Sequence, residues 1–134
     1  MAHMTQENKK RMQVQIAPLL KKYGVKATLS VENHSTVNLN IKSASMDFFG
    51  NYNEIAKKLN HRERNDNIQI ASSYVNKKST PLFSGRPLKF LQKAFAILMA
   101  GNHDNSEPMN DYHDVGWYAY INIGQWDRPF VYTA

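Results

Sequence analysis

The chain contains no cysteine. That excludes thiolate zinc sites, iron–sulfur clusters, cysteine nucleophiles and a disulfide framework, and it fits a reducing cytoplasm, bacterial or host, as the expected compartment. Long apolar runs are missing as well. None approaches the roughly 18 residues of a membrane span, and no charged-then-apolar leader opens the chain, so no membrane contact is expected. There is no Gly-rich phosphate loop, no Gly-x-Ser-x-Gly elbow and no His-Glu-x-x-His pair, so catalysis lacks support and no cofactor is implied. Acidic residues are the scarcer charge, 11 against 17 basic, for a net charge of +6.

What is present suits one globular domain. At 134 residues, 42% of them hydrophobic and 21% charged, the chain is long enough to bury a core without a metal or a cross-link. Residues 1–4, Met-Ala-His-Met, read as a cloning remnant, leaving 5–134 as a single domain.

The basic excess is uneven. Residues 1–26 hold Lys9, Lys10, Arg11, Lys21, Lys22 and Lys26 against Glu7, and residues 54–93 hold Lys57, Lys58, Arg62, Arg64, Lys77, Lys78, Arg86, Lys89 and Lys93 against Glu54, Glu63 and Asp66. From 101 onward the sign reverses. Basic surfaces attract polyanions by neutralising phosphates and releasing counterions. The plain alternative is a solvated lysine-rich helix face.

Periodicity divides the chain. Met12, Ile16, Leu19, Leu20 and Tyr23 line one side of a helix over 5–23, with Thr5 as N-cap and Gly24 just past its end; Pro18 would kink it or start a new turn near Ala17. Strict alternation over 25–31 and again over 37–41 predicts two half-buried strands, joined as a hairpin by the short polar residues 32–36. Their outer face is Lys26, Thr28, Ser30, Asn38, Asn40 and Lys42, a source of hydrogen bonds and charge, though half-exposed sheets carry such residues routinely. A short amphipathic piece over 53–59, an exposed loop over 61–67 and a third strand over 68–75 follow. A helix opens at Pro87, buries Leu88, Leu91, Phe95, Leu98 and Met99, and stops at Gly101. A fourth strand over 117–123 puts Trp117, Ala119, Ile121 and Ile123 on one face and Tyr118, Tyr120 and Asn122 on the other. The expected class is α+β: an antiparallel sheet of about four strands with two main helices packed on one face.

Three constellations bear on chemistry. His34-Ser35-Thr36 is a His-x-Thr triplet of the kind that two-histidine phosphoesterases use, but that chemistry needs two triplets, and His61, His103 and His113 do not supply the second; a turn histidine is the simpler reading. Asp111, His113 and Asp114, with His103 and Asp104, could ligate a borderline or hard metal, yet their spacing matches no known mechanism and no metal is assigned. Aromatic residues are dense near the C-terminus, and Tyr118 and Tyr120, alternating on one strand, could stack bases or anchor a protein partner.

Several stretches carry a resemblance. Tyr23-Gly24-Val25-Lys26, Leu29-Ser30-Val31, Asn33-His34-Ser35-Thr36, Ile41-Lys42-Ser43, Asp47-Phe48, Gly50-Asn51-Tyr52-Asn53, Asp111-Tyr112, Asp114-Val115-Gly116-Trp117-Tyr118, Ile121-Asn122-Ile123-Gly124 and Trp126-Asp127 resemble small proteins of phages, plasmids and other mobile elements, and the accessory domains called large polyvalent protein associated domains. No catalytic residues are assigned in that family. The resemblance implies expression inside a bacterial cell by an element that evades or redirects host machinery. Two kinds of partner are therefore expected. One is a nucleic acid or nucleoprotein complex, met through Lys9, Lys10, Lys21, Lys22, Lys57, Lys58, Arg62 and Arg64, with Tyr118, Tyr120 and His34 as further contacts. The other is a host protein, as an inhibitor of a defence system would bind, with Tyr112, Asp114, Tyr118 and Trp126 as anchors.

Overall fold

The computed structural model describes residues 5–33, 35–60, 62, 67–71, 75, 82–100, 117–125 and 127–133. Thr5 accepts a hydrogen bond from the Asn8 N–H at 3.1 Å and opens α1, Gln6–Tyr23. The helix runs on through Pro18, which is exposed. The amide missing at Pro18 would have met the carbonyl of Val14, a residue 75% exposed, on a side of the helix open to solvent, so the chain tolerates a proline where a kink or a new turn is expected. Gly24 ends the helix at φ 65°, with its N–H on the carbonyls of Leu20 and Lys21. A Cβ there would come within 2.5 Å of Ser45 Oγ. Both the left-handed backbone and that contact favour glycine.

The hairpin forms as the alternation predicts. β1, Val25–Glu32, pairs antiparallel with β2, Thr36–Ala44, and the Ser35 N–H reaches the Glu32 carbonyl across the turn. The next element is longer than its expected 53–59: α2 spans Phe48–Lys58, because Asp47 caps it by accepting from the Gly50 N–H at 2.9 Å. Phe48, Phe49, Tyr52 and Ala56 form its buried stripe. The third strand is short: β3 is Ile68–Ile70 only, and Val75, buried, already has helical backbone. α3, Gly85–Met99, starts two residues before Pro87 and ends before Gly101. Its stripe is Phe90, Leu91, Ala94, Phe95 and Leu98, whereas Leu88 is half-buried and Met99 exposed. Ser84 before this helix is held by Asn51 of α2, whose carboxamide accepts from Ser84 N and donates to Ser84 Oγ, both at 2.8 Å.

β4, Tyr118–Ile123, and β5, Val131–Tyr132, complete the sheet. The α+β class holds, but the sheet is mixed, not antiparallel, and has five strands. Its order is β1-β2-β4-β3, with β2 and β4 parallel, β3 and β4 antiparallel, and β5 parallel to β2. Parallel neighbours need a long crossover, and the chain between β2 and β4 is long enough to carry α2, β3 and α3 back to the starting end. Alternation within a strand marks its buried face but carries no information on its direction.

The helices and one sheet face share one core. Val37, Leu39, Ile41, Ile121 and Ile123 are at most 1% exposed. Phe48 sits among Phe83, Phe90 and Phe130 with ring centroids 6.3, 6.1 and 5.6 Å away, tilted or edge-on as aromatic quadrupoles prefer. The Trp117 indole, also buried, donates to the Leu98 carbonyl at 2.8 Å, tying the approach to β4 to the end of α3.

Ile121→Ala should cost about 2 to 5 kcal/mol through lost burial and the cavity left behind, whereas Tyr118→Ala, on the opposite face, should stay within about 1 kcal/mol. Urea unfolding of the two variants measures the difference, and equal losses would contradict the assignment of faces.

Candidate functional site: a basic helix pair and an open polar sheet face

α1 and α3 pack antiparallel. Arg11 of α1 donates to the Ala100 carbonyl just past α3 at 2.9 Å, and Arg86 of α3 donates to the Lys22 carbonyl near the end of α1 at 3.2 Å. Each helix thus has its C-terminal carbonyls capped by an arginine from the other, where the helix dipole favours a cation. These two guanidiniums already have structural partners. The remaining cations on the pair are Lys9, Lys10, Lys21, Lys22, Lys89 and Lys93, and the only carboxylate on either helix is Glu7.

One cluster is specific in geometry. Arg86 Cζ lies 4.5 Å from the ring centroid of buried Tyr23, with Lys93 Nζ at 5.7 Å and Lys22 Nζ at 5.9 Å. Three like charges gather around one ring. The ring and the helix-end carbonyls offset part of their mutual repulsion. An added polyanion would offset more.

The expected contact residues fall into separate places. Lys10, Lys21 and Lys22 are exposed on α1 and Lys9 is half-buried. Lys57 and Lys58 lie in the last turn of α2, and Arg62 is exposed beyond it. Arg64 and His34 lie outside the described residues, as do Tyr112, Asp114, Trp126 and the acidic cluster at 103–114. Tyr118, 43% exposed, and half-buried Tyr120 stand on the sheet face that the helices do not cover. The tyrosines and the α1 lysines therefore belong to opposite sides of the molecule.

That face, which none of the described helices covers, carries a carboxamide network in which Asn38 is buried. Strand register sets Thr28, Asn40, Asn122 and Gln69 side by side across β1, β2, β4 and β3. The Asn122 amide donates to Asn40 Oδ1 at 2.9 Å and to Asn38 Oδ1 at 3.3 Å, Asn40 donates to Ser30 Oγ at 3.0 Å, and Asn38 to Glu32 at 3.4 Å. Outward parity for Asn38, Asn40 and Asn122 is legible in the alternation; their alignment depends on the parallel register and is not. Two cavities, of about 470 and 510 Å³, open on either side of Gly124 and Gln125. Among the described residues no cluster of His, Asp and Glu could hold a metal ion, and no helix is long and apolar enough to cross a membrane.

Arg11→Ala and Arg86→Ala should each lower stability by about 1 kcal/mol, the usual scale of an exposed hydrogen bond to a charged donor. The sites are about 16 Å apart along α1 at 1.5 Å per residue, so the double variant should show the sum within about 0.5 kcal/mol. Thermal melts of the three variants test this, and a non-additive loss would mean that the helices dock as one brittle unit. Comparison of the chain with models of protein families, with curated proteins and with solved structures finds no match of any of the three kinds.

Proposed function

We propose that this is a non-catalytic binding protein of a mobile genetic element that contacts nucleic acid, or a nucleoprotein complex, through the α1/α3 pair. One observation carries the reading: two adjacent helices present Lys9, Lys10, Lys21, Lys22, Lys89 and Lys93 with Glu7 as the only carboxylate between them. A helix pair with six lysines and a single carboxylate is the kind of electrostatic footprint that phosphate binding uses. Lys57, Lys58, Arg62 and Arg64 extend the contact beyond α2. The mobile-element setting comes from the sequence resemblance, and an intracellular partner fits the absence of cysteine.

Binding of this kind is sequence-tolerant and salt-dependent. Each neutralised phosphate contributes roughly 0.9 to the slope of log affinity against log salt on duplex DNA, or about 0.7 on a single strand. The double variant Lys21→Ala/Lys89→Ala should therefore reduce that slope by about 2 while leaving the melting temperature within a few degrees. Fluorescence anisotropy with labelled oligonucleotides between 50 and 300 mM salt reads it. No binding at low salt, or affinity independent of salt, would reject the proposal. Capture of a host protein that survives nuclease treatment, with no oligonucleotide binding, would favour the inhibitor of host defence instead, and Tyr118, exposed on the sheet face, is the one of its expected anchors that falls among the described residues.

A further inference from the structure

The cavities on the open sheet face owe their shape to an interruption along one edge of β2. β4 and β5 both pair with that edge, but β2 advances only from Ile41 to Ser43 while its neighbour advances from Ile123 to Val131. The intervening chain must leave the sheet. It does so as a tight ribbon in which Gln125 N donates to Arg128 O at 2.8 Å and Arg128 N donates to Gln125 O at 3.0 Å. Directly opposed residues of such a pair send their side chains to the same side. The ribbon therefore holds Gln125 and Arg128 together above the carboxamide row.

The two cavities differ in chemistry. The larger, about 510 Å³, is lined by Thr28, Ser30, Asn40, Lys42, Gln125 and Arg128, among others, and contains both cations of the region. The smaller, about 470 Å³, contains Asn67, Gln69, Asn122 and Asp127 and, among the described residues, no cation. The smaller one has a fixed acceptor. Both donors of the Asn122 amide group are committed to Asn38 and Asn40, so its carboxamide cannot rotate without losing two bonds. Among the described residues Asn122 Oδ1 accepts no hydrogen bond, and Asn122 lines this cavity. Gln69, its cross-strand neighbour, is exposed with its amide group uncommitted.

We propose that this pair of cavities binds a sugar phosphate unit, with the phosphate between Lys42 and Arg128 and the hydroxyls toward Asn122, Gln69 and Asp127. Each requirement follows from charge and donor type. An anion is excluded from the Asp127 end and attracted to the Arg128 end. Arginine offers a planar fork that suits phosphate oxygens. A sugar hydroxyl both donates and accepts, so it can be served at once by a fixed carbonyl acceptor, a free carboxamide and a carboxylate. Each volume lies in the ordinary range for small-ligand sites. This site is on the sheet face away from α1 and α3 and does not rest on the helix-side reading.

The unit can come from a free sugar phosphate or nucleotide, or from the backbone of a single strand. Amide NMR titrations with ribose 5-phosphate, with adenosine 5′-monophosphate and with a short single-stranded oligonucleotide separate these sources. Shifts clustered at Gln69, Asn122, Gln125 and Arg128 with either small ligand support the free source. The same cluster moving only with the oligonucleotide supports the strand. In both cases Arg128→Ala and Gln69→Ala, each an exposed residue whose loss should not unfold the protein, must weaken that response tenfold or more, while Lys21→Ala/Lys89→Ala leaves it unchanged for the small ligands. No clustered shift with any of the three up to 10 mM small ligand or 1 mM oligonucleotide, or a response indifferent to Arg128→Ala and Gln69→Ala, overturns the proposal. So does a response abolished by Lys21→Ala/Lys89→Ala alone, which would assign the binding to the helices.

Discussion

The pairing of β2 with β4 in parallel is the constraint from which most of the molecule follows. β2 has β1 on one edge and β4 then β5 on the other, and Val37, Leu39 and Ile41 lie at most 1% exposed along it. A parallel neighbour cannot be reached by a short turn. The chain must run back over a face of the sheet, and it uses that passage to place α2 and α3. With α1 alongside α3, three helices close over one face around Phe48 and Phe90, and the other face is left to polar side chains. The two-layer architecture and the exposed amide surface are two results of the same connection.

Side chains on the two surfaces do different work. On the helical side, arginines and lysines divide the labour. Arg11 and Arg86 reach across the helix pair to the carbonyls of Ala100 and Lys22, a task that suits a long planar donor with several N–H groups. The lysines have no such partner. Tyr23 links the two sets, since its buried ring packs edge-on against Phe90 at 5.5 Å while receiving cations from both helices. Charge repulsion in that cluster is held in check by packing that belongs to the core. On the sheet side no excess charge of this kind exists, and rigidity comes instead from carboxamides that fix one another.

Much of this was legible in the amino-acid pattern, and the rest failed for identifiable reasons. Alternation showed which face each residue of 25–31, 37–41 and 117–123 takes, because side-chain parity is local, but not its burial: Ala27, Leu29 and Val31 are half-buried and Asn38, on the other face, is buried. Thr5 and Gly24 announced the ends of α1 by their own chemistry. The start of α2 was hidden by Gly50, a poor helix former, which suits this place because the Asp47 carboxylate of the cap fills the space where a Cβ would stand. Strand direction and order are long-range properties, so the parallel β2–β4 register stayed out of reach, and with it the alignment of Asn40, Asn122 and Gln69. Basic residues were easy to find and hard to group: only the antiparallel docking of α1 on α3 shows that Lys22 and Lys93 share a neighbourhood while Lys57 and Lys58 lie at the end of another helix.

The separation of the two surfaces limits what a single partner can do. A sheet lies between them, and its buried strands transmit little unless a packed element has two arrangements. A rigid duplex lying on α1 and α3 would leave Tyr118, Tyr120 and the amide row untouched. A flexible single strand, or an assembly with more than one component, could reach both. The Gln125–Arg128 pair lies close to the core in sequence, because two residues after Arg128 comes Phe130, whose ring packs on Phe48 and Phe49 at 5.6 and 5.7 Å. A ligand that pulled on Arg128 would act, within two residues, on the aromatic cluster beneath the helices. Two routes join the surfaces: the covalent run of α1 into β1, from Lys22 to Thr28, and the packing of Phe130 on Phe48 and Phe49.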